Sequence, residues 1–336
     1  METLSDSSNL VAQSRDARRP AVSVIMPCYN SAAFIEQGVR SVLAQTFPDF
    51  ELIVVNDGSN DGSLDVLSTI RNPRLRVITQ PNLGVQAARN RGIRAASGEF
   101  IAFLDADDRW HKQFIENMLG AMRACPDAGL AYCGWQNVGL PGRRAEPFIP
   151  PDYEGFEKVE KLLWDCRWPI HAVVVKRELV EAAGCFDEAF RTSEDYWLWL
   201  RIAPQNPLVR VPKVLSYYYH HGNQRSTARN LLQRGMDRWH IRRAFVSRYP
   251  EYIAHLSRSR IRELTHGRLL EWGFKCYWQR ELPAAHAIFR QVMWKVYGRP
   301  KDWLYMLPAL LPLGLYERLI SFSEWVKRRR SDCAKQ

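Results

Sequence analysis

Phe100–Asp108 reads FIAFLDADD, an apolar run that passes directly into a turn with three carboxylates. A short apolar run bounded by turn residues is typical of a buried strand. Neighbouring carboxylates repel one another, and a divalent cation such as Mg²⁺ or Mn²⁺ among them makes their proximity favourable. The same Asp residues could instead cap the helix that follows, because Asp is a favoured N-cap residue. The stretch therefore predicts a buried strand that ends in a metal site or a helix cap.

Strand-like and helix-like patterns alternate on the N-terminal side of this stretch. Apolar runs at 22–26, 50–55 and 75–78 predict strands, and apolar residues at helical spacing follow each of them. Such alternation favours right-handed βαβ units, so we expect an α/β fold with a mainly parallel sheet and flanking helices. On the C-terminal side, the patterns predict strands at 129–133, 171–176, 208–211 and 214–219, and helices at 115–122 and 194–203.

A second polar cluster, Asn56–Ser63 (NDGSNDGS), follows another predicted strand. Its glycines allow a sharp turn with positive φ, and a carboxylate in it can accept a hydrogen bond from a nucleobase N–H. The alternative is an ordinary connecting loop. Because ligands of parallel sheets bind beyond the carboxyl ends of the strands, the shared position of Asn56–Ser63 and Asp105–Asp108 indicates one site. That shared position favours the metal interpretation of the aspartates.

A helix is predicted to start near Gly84, within the segment Asn82–Gly92. Its first N–H groups would point at an anion. Arg89 and Arg91 lie on this helix, and either could reach a phosphate or a base. The alternative is a solvated helical face, which is normal for arginine.

Four motifs are linked in order and spacing: Val22–Asn30 (VSVIMPCYN), Val54–Ser59 (VVNDGS), the pair Asn82–Gly84 and Ala88–Asn90, and Phe103–Asp108 (FLDADD). Together they resemble the family 2 glycosyltransferases. The resemblance continues through Gly184–Glu188 and Glu194–Arg201 and covers roughly 21–227. It implies a GT-A fold, a nucleoside-diphosphate-sugar donor, with UDP expected, a divalent Mn²⁺ or Mg²⁺, and inversion at the anomeric carbon. The implied acceptor is a hydroxyl of a glycan or a lipid-linked sugar in surface polysaccharide synthesis.

The resemblance also assigns roles to individual residues. The implied donor-binding residues are Pro27, Tyr29, Asn30, Asp57, Arg89 and Asp105. Within that set, Asp57 would bind the nucleobase in a pocket lined by Pro27 and Tyr29, Arg89 would hold base or phosphate, and Asp105 would contact the ribose. Asp107 would ligate the metal, and His220 is preferred over His221 as a group near the metal or diphosphate. Family members often have Asp where this chain has Asn56. This departure leaves the base-binding carboxylate of Asp57 in place but weakens the case for uracil as the base.

Glu194–Asp195 is the expected catalytic pair. Inverting transfer needs a general base that takes the proton of the acceptor hydroxyl as it attacks. Adjacent residues of a helix point about 100° apart, so only one of the two can face the reacting carbon. The resemblance assigns Asp195 as the base and Glu194 as a supporting or acceptor-orienting group. The alternative is an acidic helix N-terminus that interacts with the helix dipole.

Composition separates the remaining function classes. The chain has 336 residues and a formal net charge of +11, which favours anionic partners such as phosphorylated substrates or acidic lipids. Nucleic acid is not an expected partner, since no helix-turn-helix, zinc or RNP signature is present. A dinucleotide oxidoreductase would need GxGxxG after the first strand, where Pro27–Asn30 stands instead. A non-catalytic nucleotide-sugar binder on the same fold stays as the alternative, although it would not need Glu194–Asp195.

The two ends of the chain differ in character from its middle. We expect a disordered tail at 1–20, the catalytic domain at 21–227 and a helical, basic extension at 228–336. The tail lacks a secretory signal, the seven cysteines form no CxxC pair, and a cytoplasmic location is expected. Trp303–Tyr316 is apolar and precedes the basic cluster Lys327–Arg330. Residues 303–330 therefore predict either a peripheral contact with the inner face of the cell membrane or a helix packed on the catalytic domain.

Overall fold

An eight-stranded mixed sheet organises the protein, whose computed structural model describes residues 19–190, 192–221 and 231–322. The strands are β1 (Val22–Cys28), β2 (Phe50–Asp57), β3 (Leu75–Gln80), β4 (Phe100–Phe103), β5 (Arg109–Trp110), β6 (Leu130–Val138), β7 (Val173–Lys176) and β8 (Leu208–Tyr219). Their order across the sheet is β3-β2-β1-β4-β7-β6-β8-β5. The pairs β1–β2, β1–β4, β2–β3 and β6–β8 are parallel, while β4–β7, β6–β7 and β5–β8 are antiparallel. The predicted α/β fold with a mainly parallel sheet is confirmed.

Helices flank this sheet and continue beyond it. Within the described residues they are α1 (Ile35–Leu43), α2 (Ser63–Thr69), α3 (Val85–Ala95), α4 (Phe114–Ala124), α5 (Lys158–Trp164), α6 (Arg177–Ala182), α7 (Glu194–Ile202), α8 (Leu231–Arg248), α9 (Arg258–Arg262), α10 (Arg268–Trp278), α11 (Leu282–Trp294) and α12 (Pro300–Met306). A π-helical turn, Glu263–Gly267, joins α9 to α10. Residues 313–322 are also helical.

Register in the parallel half of the sheet places the two polar clusters side by side. β1 is buried along its whole length, as its continuous apolar run predicts for a strand covered on both faces. Val22 lies opposite both Phe50 and Phe100, so β1, β2 and β4 start level and end at the same edge. The turns that follow β2 and β4 therefore lie at the same edge of the sheet, on either side of β1, and the common strand-end position predicted from the sequence is confirmed.

One strand replaces the two that the sequence predicts at 208–211 and 214–219. β8 runs without interruption, and its pairing with β6 shifts register between Cys133 and Trp135. The irregularity takes up Pro212 and Lys213. Proline cannot donate to the ladder of a sheet, and a bulge tolerates it. Pro212, which lies between the two strands predicted from the sequence, is therefore part of a bulge within one continuous strand.

The C-terminal helices build a core of their own. Trp239, Phe289, Met306 and Tyr316 are buried together in it. α8 also packs against the part of the chain that carries the sheet, because Ile241 and Phe245 belong to the core that contains the apolar side chains of α7. The helical character predicted for the extension is confirmed for 231–322. The predicted tail up to residue 18, the domain boundary near 227 and the basic cluster Lys327–Arg330 lie outside the described residues.

None of the helices in the described ranges combines the length and the apolarity that crossing a bilayer requires.

Candidate active site

The loops after β1 and β2 are hydrogen-bonded to each other. The Asn30 N–H donates to Ser59 Oγ at 3.0 Å, and the Asn60 N–H donates to Asn30 Oδ1 at 2.9 Å. Asn30 has a φ of 48°, a left-handed conformation that asparagine tolerates better than most residues. The Ala32 N–H donates to Asp61 Oδ2 at 3.0 Å. Asn30 therefore shapes the loop in which Tyr29, half exposed, stands beside the end of β2.

Asp57 fastens the end of β2 to the loop after β3. Its Oδ1 accepts from Gln80 Nε2 at 2.8 Å and from the Leu83 N–H at 3.0 Å, and its Oδ2 accepts from the Gly84 N–H at 2.9 Å. The carboxylate is buried. These three bonds hold the loop after β3 close to the Asp-Gly turn. Glycine is needed at position 58 because its φ is 71° and because a Cβ there would lie 2.8 Å from the Asn82 nitrogen. A nucleobase contact by Asp57 stays a prediction. Its Oδ2 accepts one hydrogen bond from the protein and has a second lone pair that could accept another from a base.

Arg89 bridges two carboxylates that are far apart in sequence. Its Nη2 lies 2.7 Å from Asp105 Oδ1, and its Nη1 lies 2.6 Å from Glu194 Oε1. The arginine side chain is only 3% exposed, whereas that of Asp105 is 30% exposed. Arg89 therefore holds the strand-end turn of β4 against the start of α7. Its predicted contact with base or phosphate is not tested by this geometry, and Arg91 on the same helix is exposed.

Charges around this bridge shift two pKa values. Burial disfavours the cation of Arg89, yet the charges of Asp105 and Glu194 outweigh it and raise the pKa of the guanidinium. Burial, and then the adjacent Asp195 carboxylate, raise the pKa of Glu194 against the opposing effect of Arg89. The bridge is thus an arginine that stays charged and a carboxylate that accepts protons more readily than a free glutamate.

Asp195 differs from its neighbour in having no cationic partner among the residues that the structure describes. Its Oδ1 accepts from the Tyr196 N–H at 2.7 Å, and its side chain is half-buried. Its charge is felt by Cys166: burial first, and then Asp195, raise the pKa of that thiol well above its ordinary value. Asp195 therefore faces the segment that carries Cys166, while Glu194 is committed to Arg89.

Two elements fix the segment that leads into α7, and the sequence reasoning missed both. On α3, Gln86 Nε2 donates to the Phe190 carbonyl at 2.9 Å, and Asn90 Nδ2 donates to the Phe186 carbonyl at 3.0 Å. On α8, buried Asp237 accepts from the Thr192 N–H at 3.1 Å and from Thr192 Oγ1 at 2.8 Å. The available signal for Asp237 was a carboxylate within an otherwise strongly basic helix.

The predicted metal ligands lie beside β8. The Nε2 of His221 is 3.5 Å from the Asp107 carbonyl oxygen, and its ring stacks on Phe34 at 3.8 Å. The preferred histidine, His220, contacts Asn137 Oδ1 with Nε2 at 2.9 Å. His221 is therefore a second candidate that the sequence argument ranked lower.

A divalent cation fits these residues only together with a donor. Across the described ranges, no group of three or more His, Cys, Asp or Glu side chains could hold a metal ion. Half-buried Asp107 offers a single carboxylate at the strand-end turn. Mg²⁺ in particular is often held by one or two carboxylates plus substrate phosphates, and such a site is complete only when the phosphates are present.

Asp108 has a different place from the other two aspartates. It is fully buried, and its Oδ1 accepts from the Tyr219 N–H at 3.0 Å. Its Oδ2 lies 3.9 Å from His171 Nε2, and His171 in turn contacts Ser216. Asp108 therefore joins the strand-end turn of β4 to β8. The structure thus separates the three aspartates: Asp105 binds Arg89, Asp107 lies beside His221, and Asp108 is buried in the core.

Comparison with known proteins places this chain in a sequence family. The sequence model described as Glycosyl transferase family 2 matches residues 23–166. The glucosyltransferase WfgD of Escherichia coli, named for UDP-Glc and α-D-GlcNAc-diphosphoundecaprenol, is 33% identical over 189 residues, 55% of this chain and 70% of WfgD. EpsJ of Bacillus subtilis, an uncharacterized glycosyltransferase, is 35% identical over 189 residues, 52% of this chain and 54% of EpsJ. The chain spans about a third to about half the length of several curated relatives that it matches.

Solved structures share the fold over most of the chain. S. aureus TarS 1–349 in complex with UDP-GlcNAc superposes with a TM-score of 0.56 at 17% identity, covering 90% of this chain and 91% of that one. The mannosyltransferase PcManGT of Pyrobaculum calidifontis, in complex with GDP-Man and Mn²⁺, gives 0.52 at 20% identity, covering 89% and 86%. At these identities the likeness concerns the fold, and it includes the C-terminal helices, which the resemblance in sequence does not reach.

Proposed function

Because the chain belongs to the family 2 glycosyltransferases, we propose that it transfers a sugar from a nucleoside-diphosphate sugar to a hydroxyl of a glycan or lipid-linked acceptor. The observation that carries the proposal is the division of labour at α7. Glu194 is bound to the buried Arg89, while Asp195 has no ion-pair partner in the described chain. One carboxylate is thereby held in place and the other is left to accept a proton, as inverting transfer requires.

The chemical step follows from these positions. The acceptor hydroxyl oxygen attacks the anomeric carbon from the face opposite the diphosphate, and its proton passes to Asp195. The bond between the anomeric carbon and the diphosphate oxygen breaks, and the nucleoside diphosphate leaves with that electron pair. Arg89 holds Glu194 and Asp105 in place through one hydrogen bond to each, and both carboxylates would face the donor in this proposal. A divalent cation held by Asp107 and the donor phosphates would supply positive charge near the leaving group.

A UDP-sugar is the proposed donor, and a surface polysaccharide is the proposed context. WfgD is named for UDP-Glc, and TarS was solved with UDP-GlcNAc. PcManGT was solved with GDP-Man and Mn²⁺, so the fold accommodates another base. The sugar of each of these three donors is of the hexose type, and a hexose is therefore the proposed sugar. Tyr29 and the buried Asp57 are the proposed base contacts, with Pro27 as part of the pocket wall.

Replacing the proposed base tests the function. We expect Asp195→Asn to slow transfer and donor hydrolysis by about 10²–10⁴-fold, because no group then takes the proton. Release of each nucleoside diphosphate from a panel of nucleotide sugars is measured with Mn²⁺, with Mg²⁺ and with a chelator. Donor affinity, measured by calorimetry on the same samples, should change little.

Asp65→Asn is the matched control, because Asp65 is an exposed aspartate on α2. Donor binding without turnover by the wild-type chain, under all metals and with acceptor mixtures, would favour the alternative of a non-catalytic nucleotide-sugar binder. Failure of every donor to bind would exclude both functions.

We also propose peripheral membrane contact through the C-terminal helices, with the cytoplasmic location kept as a prediction from the sequence. Residues 303–322 have two faces: Met306, Tyr316 and Ile320 are buried, while Leu304 and Leu315 are 73% and 52% exposed. The buried face packs in the core of the C-terminal helices rather than on the sheet, and the exposed face supports the proposed membrane contact. Scattered apolar residues are normal on a surface, but several large ones on one short segment are typical of an interaction site.

Basic residues accompany this exposed apolar face. Lys301 stands one helical turn before Leu304, and Arg318 stands one turn after Leu315. Such lysines and arginines can extend toward phosphate headgroups while leucines enter the acyl boundary. The combination supports an anionic lipid surface as the partner.

A further inference from the structure

A cavity of about 310 Å³ lies between α8 and α10, away from the donor loops. Five cationic side chains line it: Arg234, Arg238, Arg242, Arg268 and Lys275. Only two carboxylates, Asp165 and Glu271, face them, so the lining carries a formal excess of three positive charges. A concave surface with one sign of charge concentrates the opposite charge.

The protein itself leaves much of this positive charge uncompensated. Arg238 Nη2 binds Asp165 Oδ1 at 2.9 Å, and Arg268 binds Glu271. Arg242 donates only to backbone carbonyls, at 2.6 Å to that of Leu163. The side chains of Arg234 and Lys275 form no hydrogen bond or ion pair with any residue in the described ranges.

These two unpaired cations share an aromatic support. The Lys275 ammonium lies 4.4 Å from the centroid of the Trp272 ring, and the Arg234 guanidinium lies 5.9 Å from it. The Trp272 indole N–H is fixed by the Leu231 carbonyl at 2.8 Å. Two free cations are thus held together at the cavity.

Burial and, after it, repulsion among the cations lower the pKa values of two of them. Burial, and then the charges of Arg238 and Arg268, lower the pKa of Arg242 to about 10, although Tyr196 opposes them. Burial, and then the charge of Arg234, lower the pKa of Lys275. A polyanion in the cavity would offset the repulsive part of these shifts, since an opposite charge favours the cationic form.

Two lining arginines of the cavity contact the residue that follows the proposed catalytic base. The guanidinium carbons of Arg238 and Arg242 lie 4.8 and 5.3 Å from the ring centroid of Tyr196, which directly follows Asp195. Asp165 directly precedes Cys166, the thiol that senses the charge of Asp195. Donor residues Asp57 and Asp105 belong to the strand-end turns on the other side of Arg89. The positive cavity is therefore connected to α7 through Tyr196, and no residue of the donor turns is among its lining residues.

We propose that this cavity binds a phosphate or diphosphate group of the acceptor. The inference rests on the proposed function and names its acceptor class. Arginine forks match phosphate oxygens in pairs, and the lining has more cations than its two carboxylates can neutralise. An acceptor anchored here by phosphate would present its sugar hydroxyl to Asp195.

The test is a calorimetric titration of the full chain with inorganic pyrophosphate, then with farnesyl diphosphate and farnesol, in saturating UDP and GDP. We expect pyrophosphate and farnesyl diphosphate to bind, and farnesol not to bind. Arg234→Ala/Lys275→Ala removes the two unpaired cations and should weaken both diphosphates by about ten- to a hundredfold. Metal-dependent donor hydrolysis without acceptor should stay unchanged in this variant.

The matched control is Arg71→Ala/Arg258→Ala, which removes two exposed arginines outside the cavity. Equal loss of binding in the control, or unchanged binding in Arg234→Ala/Lys275→Ala, would overturn the site. Binding of pyrophosphate but not of farnesyl diphosphate would overturn its assignment to an acceptor. If donor hydrolysis is absent while the cavity binds diphosphate, the proposed function fails and the anion site stands.

Discussion

At the scale of single residues, partners far apart in sequence define what each active-site side chain can do. Glu194 and Asp195 are neighbouring acids in the sequence, and the contact of Glu194 with Arg89 is what distinguishes them in the structure, as the proposed roles require. Asp105, Asp107 and Asp108 are likewise close together in the sequence, and the structure gives each a different partner. The sequence motif therefore indicates which acidic residues are present, and the fold determines which partner each of them has.

Outside the active site, His266 is a residue whose protonation should control stability. The Trp239 indole N–H donates to its Nδ1 at 3.1 Å, which requires that nitrogen to be unprotonated. Burial, and then the charges of Arg262, Arg243 and Lys295, lower its pKa from 6.5 to about 4.

Acidification should therefore destabilise the wild-type chain through His266. The unfolded chain takes up the proton near pH 6.5 and the folded chain only near pH 4, so stability is full above 6.5 and falls between these values. The loss is at most about 1.4 kcal/mol for each pH unit, less whatever solvent screening removes. Urea unfolding is followed by tryptophan fluorescence at several pH values in this window.

His266→Asn can still accept from Trp239 without titrating, so its stability should depend less on pH than that of the wild type. His255→Asn, at an exposed histidine, should keep the wild-type dependence. Identical pH profiles for His266→Asn and the wild type would refute the assignment.

At the scale of elements, the position of α3 on β1 depends on Gly92. A Cβ at this glycine would lie 2.4 Å from Cγ2 of Ile25, which is fully buried on β1. The missing side chain lets the helix approach the strand, and Arg89 lies one turn earlier on the same helix. The distance between helix and sheet is thus coupled to the bridge between Asp105 and Glu194.

Gly92→Ala should therefore lower both stability and activity. Overpacking of this kind costs about 1–3 kcal/mol, and displacement of α3 would move Arg89 away from its carboxylates. The free energy of unfolding and the rate of donor hydrolysis measure the two effects. In an Ile25→Ala background the cost of Gly92→Ala should shrink, which a double-mutant cycle quantifies.

Gly120→Ala on α4 is the matched control, because a Cβ there meets nothing within 4 Å. It should be neutral or stabilising by about 0.5–1 kcal/mol, the ordinary gain of alanine over glycine in a helix. An equal effect of the two substitutions would mean that Gly92 has no special packing role.

How far the sequence reaches also depends on the scale of the contact. The alternation of strands and helices predicted the sheet and the common edge of β1, β2 and β4, because each signal is local. Arg89 and Glu194 are 105 positions apart, and no local pattern pairs them. The cavity between α8 and α10 needed two helices to be packed before its charges converged.

At the scale of the whole molecule, the core of the C-terminal helices explains why the exposed leucines must be tested by substitution rather than by truncation. A cut before Trp303 would remove Met306, Tyr316 and Ile320 from that core and would unfold the extension together with the apolar face. Leu304 and Leu315 are exposed, so Leu304→Ser/Leu315→Ser should leave the fold intact.

We expect the wild-type chain to sediment with vesicles that contain phosphatidylglycerol, and less with pure phosphatidylcholine, because basic residues border the apolar face. Leu304→Ser/Leu315→Ser should weaken the association by about tenfold or more, since each leucine gains roughly 1.5–3 kcal/mol on full burial. Leu64→Ser/Val77→Ser, at two partly exposed apolar positions of the catalytic part, should bind like the wild type. Equal binding by both double variants would mean that the leucines do not enter the bilayer, and retention on pure phosphatidylcholine would remove the role of charge. If vesicle binding requires both the leucines and anionic lipid, the two proposed sites would act on one acceptor. The membrane would hold the lipid of that acceptor, and the cationic cavity would hold its phosphates.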